Sequence, residues 1–114
     1  MIIRKYAEQA IKETSHKMDV REMYNKEFAQ ANLLALMPGE SLKPHITPVD
    51  HFFFIVEGTP TIHIGYENEQ CEVDSLIESP AGIVHYISNE SDSVARILVV
   101  KAPRPANKNI TFYF

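Results

Sequence analysis

The sequence predicts an all-β, antiparallel fold, and three observations carry that prediction. Short apolar runs rich in Val, Ile, Leu and Phe recur at close intervals. Each run is stopped by Pro, Gly, Asn or Asp. Almost no stretch sustains the helical period of 3.6 residues. The chain has 114 residues, enough for one domain around one core. Seven or eight strands at this spacing make an antiparallel sandwich or barrel.

The elements follow in order. Arg4 to Lys12 carries Tyr6, Ala10 and Ile11 loosely on one side, a turn or two of helix too short to stand without packing. Thr14 to Phe28 is polar and mixed, and is expected to hold one or two edge strands joined around Tyr24-Asn25. Gln30 to Met37 is the first compact apolar strand, ended by Pro38-Gly39. Further strands are expected at Leu42 to Thr47, His51 to Val56, Thr61 to Ile64, Glu69 to Val73, Leu76 to Glu78, His85 to Ile87 and Ala95 to Lys101. Residues 1–114 then form a single domain: core barrel at about 29–102, N-terminal extension 1–28, C-terminal aromatic tail 103–114. The tail closes on Ile110 to Phe114, which would leave a large apolar patch unless it packs.

Composition excludes several classes. Fifteen acidic and 11 basic residues leave a formal charge of −4, and the Lys and Arg are scattered, so no nucleic-acid partner is expected. The fragment Lys101 to Lys108, broken by Pro103 and Pro105, reads as solvated. No apolar run approaches the ~20 residues of a membrane span, and the first residues lack a secretory pattern. A cytoplasmic location without membrane contact is the expectation. Cys71 is alone, so no intrachain disulfide can form, and an inert buried thiol is expected.

Chemistry concentrates in Gly39 to Gly58 and Asp74 to Asn89, which bring His45, His51 and His85 into strand-like segments. Strand side chains alternate faces. His51 therefore shares a face with Phe53 and Ile55, and His85 with Ile87, while His45 shares one with Thr47. A cavity with Thr47, Phe53, Ile55 and Ile87 as lining would hold the imidazoles neutral, the form that binds metal. His63 alternates with Ile62 and Ile64 and is expected to be solvated, as is His16 in the polar N-terminal stretch. Asp50 should face away from His51, Glu57 and Glu78 read as solvated or turn residues, and Arg96 is expected to make a salt bridge at the sheet edge.

The spacing resembles the two motifs of the cupin superfamily. The first is Gly, five residues, His, one residue, His, three or four residues, Glu, six residues, Gly. Gly39, His45 and Gly58 fall in register, with Thr47 at the second His and His51 at the Glu. The second is Gly, five residues, Pro, one residue, Gly, two residues, His, three residues, Asn. Pro80, Gly82, His85 and Asn89 match it, with Asp74 at the leading Gly.

The resemblance implies an antiparallel jelly-roll (cupin) β-barrel with a divalent metal in its interior. Family cupins hold such a metal with three His and one Glu. Carried over, His45 and His85 transfer as they stand, His51 replaces the carboxylate, and Thr47 is a weak donor. Zn, Fe, Ni or Cu would suit three imidazoles. Dioxygenase or isomerase-like chemistry on a small organic acid is what the resemblance allows for such a metal site. The other reading is a metal-free barrel that binds or senses a small molecule, or an interaction module, with the imidazoles as hydrogen-bonding groups. A homodimer is expected to cover Phe52, Phe54 and Val56, which face away from the cavity, or the apolar tail, as cupins commonly show.

Overall fold

The computed structural model describes residues 1–13, 18–106 and 110–111, with no side-chain description at the last two. His16 and Phe112 to Phe114 lie outside the described residues. A single 3₁₀ turn, Tyr6–Glu8, precedes ten strands: β1 Asp19–Lys26, β2 Ala29–Leu36, β3 His45–Ile46, β4 His51–Glu57, β5 Thr61–Ile64, β6 Glu67–Gln70, β7 Leu76–Ser79, β8 His85–Ser88, β9 Ala95–Lys101 and β10 Ile110–Thr111. They form two five-stranded sheets, β1-β2-β9-β4-β7 and β10-β3-β8-β5-β6. Every neighbouring pair is antiparallel. Among the described residues no helix is long and apolar enough to cross a membrane.

Alternation sets which side chains meet between the sheets. On β9, Ala95 and Ile97 are fully buried and Val99 nearly so, while Arg96, Leu98 and Val100 lie on the outer face. Ile97 pairs with Leu34 on one side and Ile55 on the other, and Val99 with Asn32 and Phe53. From the second sheet Ile62 and Ile87 pair and close the core from the opposite side. Each fully buried Leu, Ile or Phe contributes about 1.5–3 kcal/mol relative to exposure. Among the buried polar residues, His45, His51, Ser79 and His85 lie next to one another at strand ends beside this core.

Several expectations shift at element ends. The first hairpin does not turn at Tyr24-Asn25: β1 runs on to Lys26 and pairs through to Ala29, with a bulge between Glu22 and Tyr24 absorbing the extra residue. The strand expected over Leu42 to Thr47 contracts to His45–Ile46, because Pro44 and Pro48 flank it and cannot donate to a ladder. The strand expected at Glu69 to Val73 lies earlier, at Glu67–Gln70, where the two-residue turn Gly65-Tyr66 sets Ile64 against Glu67. β6 is wholly exposed, and its two glutamates keep that sheet edge soluble. Asp74, at the motif's leading Gly, has φ +72, a left-handed conformation that Gly enters freely and Asp tolerates.

The N-terminal segment is strapped across the outer face of the first sheet. Arg21 grips Asp19 with two hydrogen bonds, from Nε at 2.8 Å and Nη2 at 3.1 Å, and its Nη1 donates to the Tyr6 carbonyl at 3.0 Å. The Tyr6 hydroxyl donates to Asp19 at 2.8 Å. Arg21 and Arg96 both stack on the Tyr6 ring, 4.3 and 4.7 Å from its centroid. Arg96 also pairs with Glu57 at 3.5 Å, the salt bridge expected of it, but on the central strand of the sheet rather than at its edge.

Candidate metal and ligand site

Each of the three histidines is the first residue of its strand, and each is buried, with 2–6% of its surface exposed. β3 and β8 are neighbours, so His45 and His85 pair directly. β4 brings His51 over them from the other sheet. Ring centroids lie 4.2 Å apart for His45 and His85, and 4.3 Å apart for His51 and His85. The Phe53 ring stands 5.3 Å from His51 and 5.8 Å from His85, walling the apolar side. Ile55 and Ile87 are fully buried in the core behind them.

The same local device orients all three rings. His45 Nδ1 donates to the Lys43 carbonyl at 2.9 Å, His51 Nδ1 to Val49 at 3.1 Å, and His85 Nδ1 to Ile83 at 3.2 Å. A carbonyl only accepts, so Nδ1 carries the proton and Nε2 is the ligating nitrogen of the neutral ring. Burial, followed by the charges His45 and His51 would carry, pushes the His85 pKa down to about 3. Burial also holds His51 below the ordinary imidazole value. Thr47, fully buried, places its hydroxyl 3.4 Å from His85 Nε2, where it donates to that nitrogen.

Neighbouring turns hold these strands in place. The Asp50 carboxylate accepts the Ala81 N–H at 2.8 Å, and Gly82 N–H donates to the Thr47 carbonyl at 3.0 Å. Asp50 thus faces away from the cluster and ties the turn before His85 to the start of β4. Asn89, 1% exposed, donates to the Leu36 and Ser93 carbonyls at 2.9 and 2.8 Å and accepts the Ser91 hydroxyl at 2.6 Å. It pins the exit of β8.

By chemistry the donor set is one a borderline divalent cation accepts: three clustered imidazoles, with His51 Nε2 buried and without a hydrogen-bond partner among the described residues. As the rings stand, among the described residues no group of three or more His, Cys, Asp or Glu side chains is placed to hold a metal ion.

Two sequence expectations need correction. His63 is half-buried rather than solvated: its Nε2 bonds Ser88 Oγ at 2.8 Å and its ring stacks on Tyr86 at 4.0 Å, because that outward face is paired with β8. It remains on the far side of the sheet from the cluster. Lys101 is also not solvated. It continues the inward series Ala95, Ile97, Val99, pairs with His51 and Gln30, and is half-buried. Burial first, then the nearby Lys12 charge, lowers its pKa to about 8. Extending the alternation of β9 to its last residue is the one sequence signal that points inward at Lys101, and its place beside a proline-broken basic tail obscures it. Cys71 is half-buried with its thiol pushed up by burial, as expected of an inert cysteine.

The family model described as Cupin domain matches residues 32–101. An uncharacterised protein of Streptomyces coelicolor is 36% identical over 64 residues, 56% of this chain and 58% of that protein's length, so the chain spans a little over half of that relative. The crystal structure of TT1209 from Thermus thermophilus superposes with a TM-score of 0.79 at 32% identity, covering 92% of this chain and all of that one. The polyketide cyclase RemF of Streptomyces resistomycificus superposes with a TM-score of 0.83 at 15% identity, covering 100% of this chain and 87% of that one, a likeness of fold alone. The two-sheet antiparallel architecture, the paired motifs and a family match over more than half the length agree: this chain belongs to the cupin domain family.

Proposed function

We propose that this cupin holds a divalent metal at His45, His51 and His85 and binds a small organic acid beside it. One observation supports the reading most: three buried, strand-opening histidines lie ring against ring, His45 and His51 each within 4.3 Å of His85, and each donates Nδ1 to the carbonyl two residues upstream. With no carboxylate among the ligands, the ion would keep its full charge and favour Zn, Fe, Ni or Cu over Mg or Ca. Bound there, the metal would supply Lewis-acid or dioxygen chemistry, of the dioxygenase or isomerase kind. The chain's own residues do the rest. Phe53 and the Ile core keep water from the apolar side, and the backbone carbonyls hold the ring orientations, while Thr47 would have to release His85 Nε2 for a metal to take it.

A second reading is a metal-free barrel in which the imidazoles accept hydrogen bonds from a ligand, and the open disposition of the rings favours it. Metal content of protein purified without chelators and without a histidine tag separates the two. Near one equivalent of a first-row metal per chain is expected, and a metal-free preparation that takes up none on dialysis against zinc would contradict the proposal. We further propose a homodimer whose partner covers the outer face of the first sheet.

A further inference from the structure

One row of inward side chains crosses the first sheet beside the histidines. Lys101 on β9 pairs with His51 on β4, and His51 pairs with Ser79 on β7. Adjacent strands lie about 4.8 Å apart, so the row spans about 10 Å, within reach of a lysine stem laid along it. Asn32 stands diagonally across β9 from Lys101.

Polar groups in this row lack the partners that burial demands. Ser79 is 1% exposed and His51 5% exposed, yet among the described residues Ser79 Oγ and His51 Nε2 make no hydrogen bond, and neither does Asn32 Oδ1. Leaving a buried polar atom unmet is costly, so the neighbouring His51 and Ser79 point to a polar occupant. Lys101 adds a charge. Among the described residues no carboxylate pairs with it, whereas nearby Lys12 has Glu22 at 3.7 Å.

We infer that Lys101 is the anion-binding residue of this cavity: its ammonium receives the carboxylate of a small monoanionic acid, and Ser79 hydrogen-bonds the ligand on the far side of His51. The inference rests on the reading of this cavity as the ligand site, and it names the group that selects an acid over a neutral analogue. One half-buried cation matches one carboxylate; a phosphate dianion would call for a second positive group or a nest of backbone N–H donors. The ammonium and a metal on His51 repel each other, so an anion that sits between them strengthens the hold of both. The coupling is reciprocal.

The test titrates chelator-treated protein with acetate, acetamide and phosphate, followed by amide and side-chain NMR shifts, and repeats zinc calorimetry with and without acetate. Acetate should bind saturably in the absence of metal, with acetamide and phosphate at least tenfold weaker. Lys101→Met should weaken acetate at least tenfold, Lys101→Arg should retain it within about threefold, and Lys101→Gln serves if the methionine variant misfolds. In acetate-free buffer Lys101→Met should bind zinc as tightly as the parent or more so, which a merely structural lysine would not produce. Equal binding of acetate and acetamide, tighter binding of phosphate, or parental acetate affinity in Lys101→Met and Lys101→Gln would overturn the inference. Acetate binding that depends on Lys101 in a protein that takes no zinc would support the anion site and sink the metal reading alone.

Discussion

Single residues decide how the cluster titrates and which turns can be changed. Buried neutral histidines make stability depend on pH with a definite sign. His85 and His51 have folded pKa values below the unfolded value of about 6.5, so the unfolded chain takes up protons first as pH falls. Stability of the metal-free protein should be constant above that value and decline below it, by about 1.4 kcal/mol per pH unit for each ring that stays neutral, until His85 titrates near pH 3. Urea melts at pH 7.5, 6 and 5 measure this, and His85→Gln should flatten the slope. An unchanged midpoint from pH 7.5 to 5 would contradict burial of neutral rings. The glycines differ in kind. Gly58 has φ +78, and a Cβ there would press into the Val94 carbonyl and Ala95 Cα, whereas Gly82, at φ +80, has open space around it. Gly82→Ala should lose only the conformational strain, about 1–2 kcal/mol, and Gly58→Ala about 3 kcal/mol or more in the same melts. The motif register made the positions of His45, His51, His85, Gly82 and Asn89 legible in the sequence. Lys101 was hidden because a lysine at a strand end, followed closely by proline, resembles any solvated tail until its cross-strand partners are known.

Among the elements, the strands with strong apolar alternation were the readable ones. β5 and β9 fall at their expected limits, since Thr61 to Ile64 and Ala95 to Lys101 are bounded by turn residues on both sides. β1 was not legible as one strand because its inward stripe is interrupted by the bulge at Glu22/Tyr24, and only pairing with β2 reveals its length. Nor could the packing of the N-terminal segment be read, as it rests on Tyr6 meeting Asp19, Arg21 and Arg96, distant in sequence. Tyr6→Ala should release this strap, since it removes a hydrogen bond and two cation–π contacts of about 0.5–1 kcal/mol each. Hydrogen exchange at Glu8 and Gln9, whose N–H groups bond within the turn, should rise severalfold while exchange in β9 stays slow. Unaltered protection at both sites would show that other contacts hold the segment.

At the scale of the whole molecule, the outer face of the first sheet calls for a cover. Phe52, Phe54, Leu98 and Val100 are half-buried there, with Leu76 53% exposed beside them, and the N-terminal strap lies toward Arg96. A recess of about 520 Å³ opens beside this face, lined by Phe52, Leu76, Glu78 and Val100 and also by His51 and Ser79 of the candidate site. A second copy of the chain would bury this stripe, and Phe54→Glu would place charges in the centre of that interface. Light scattering at micromolar concentration should report a dimer of about twice 13.0 kDa, and Phe54→Glu a monomer. A monodisperse parental monomer would refute the assembly.

The two sheets meet over the histidines, and the proposed ion would join them through His45, His51 and His85. Titration calorimetry of the chelator-treated protein with zinc at pH 7.5 measures this. One ion per chain is expected, with affinity lost as deeply in His51→Ala as in His45→Ala or His85→Ala, a much smaller effect of Thr47→Ala, and none of His63→Ala. A parent that binds no zinc, or a His51→Ala protein that binds it like the parent, would contradict the three-histidine site.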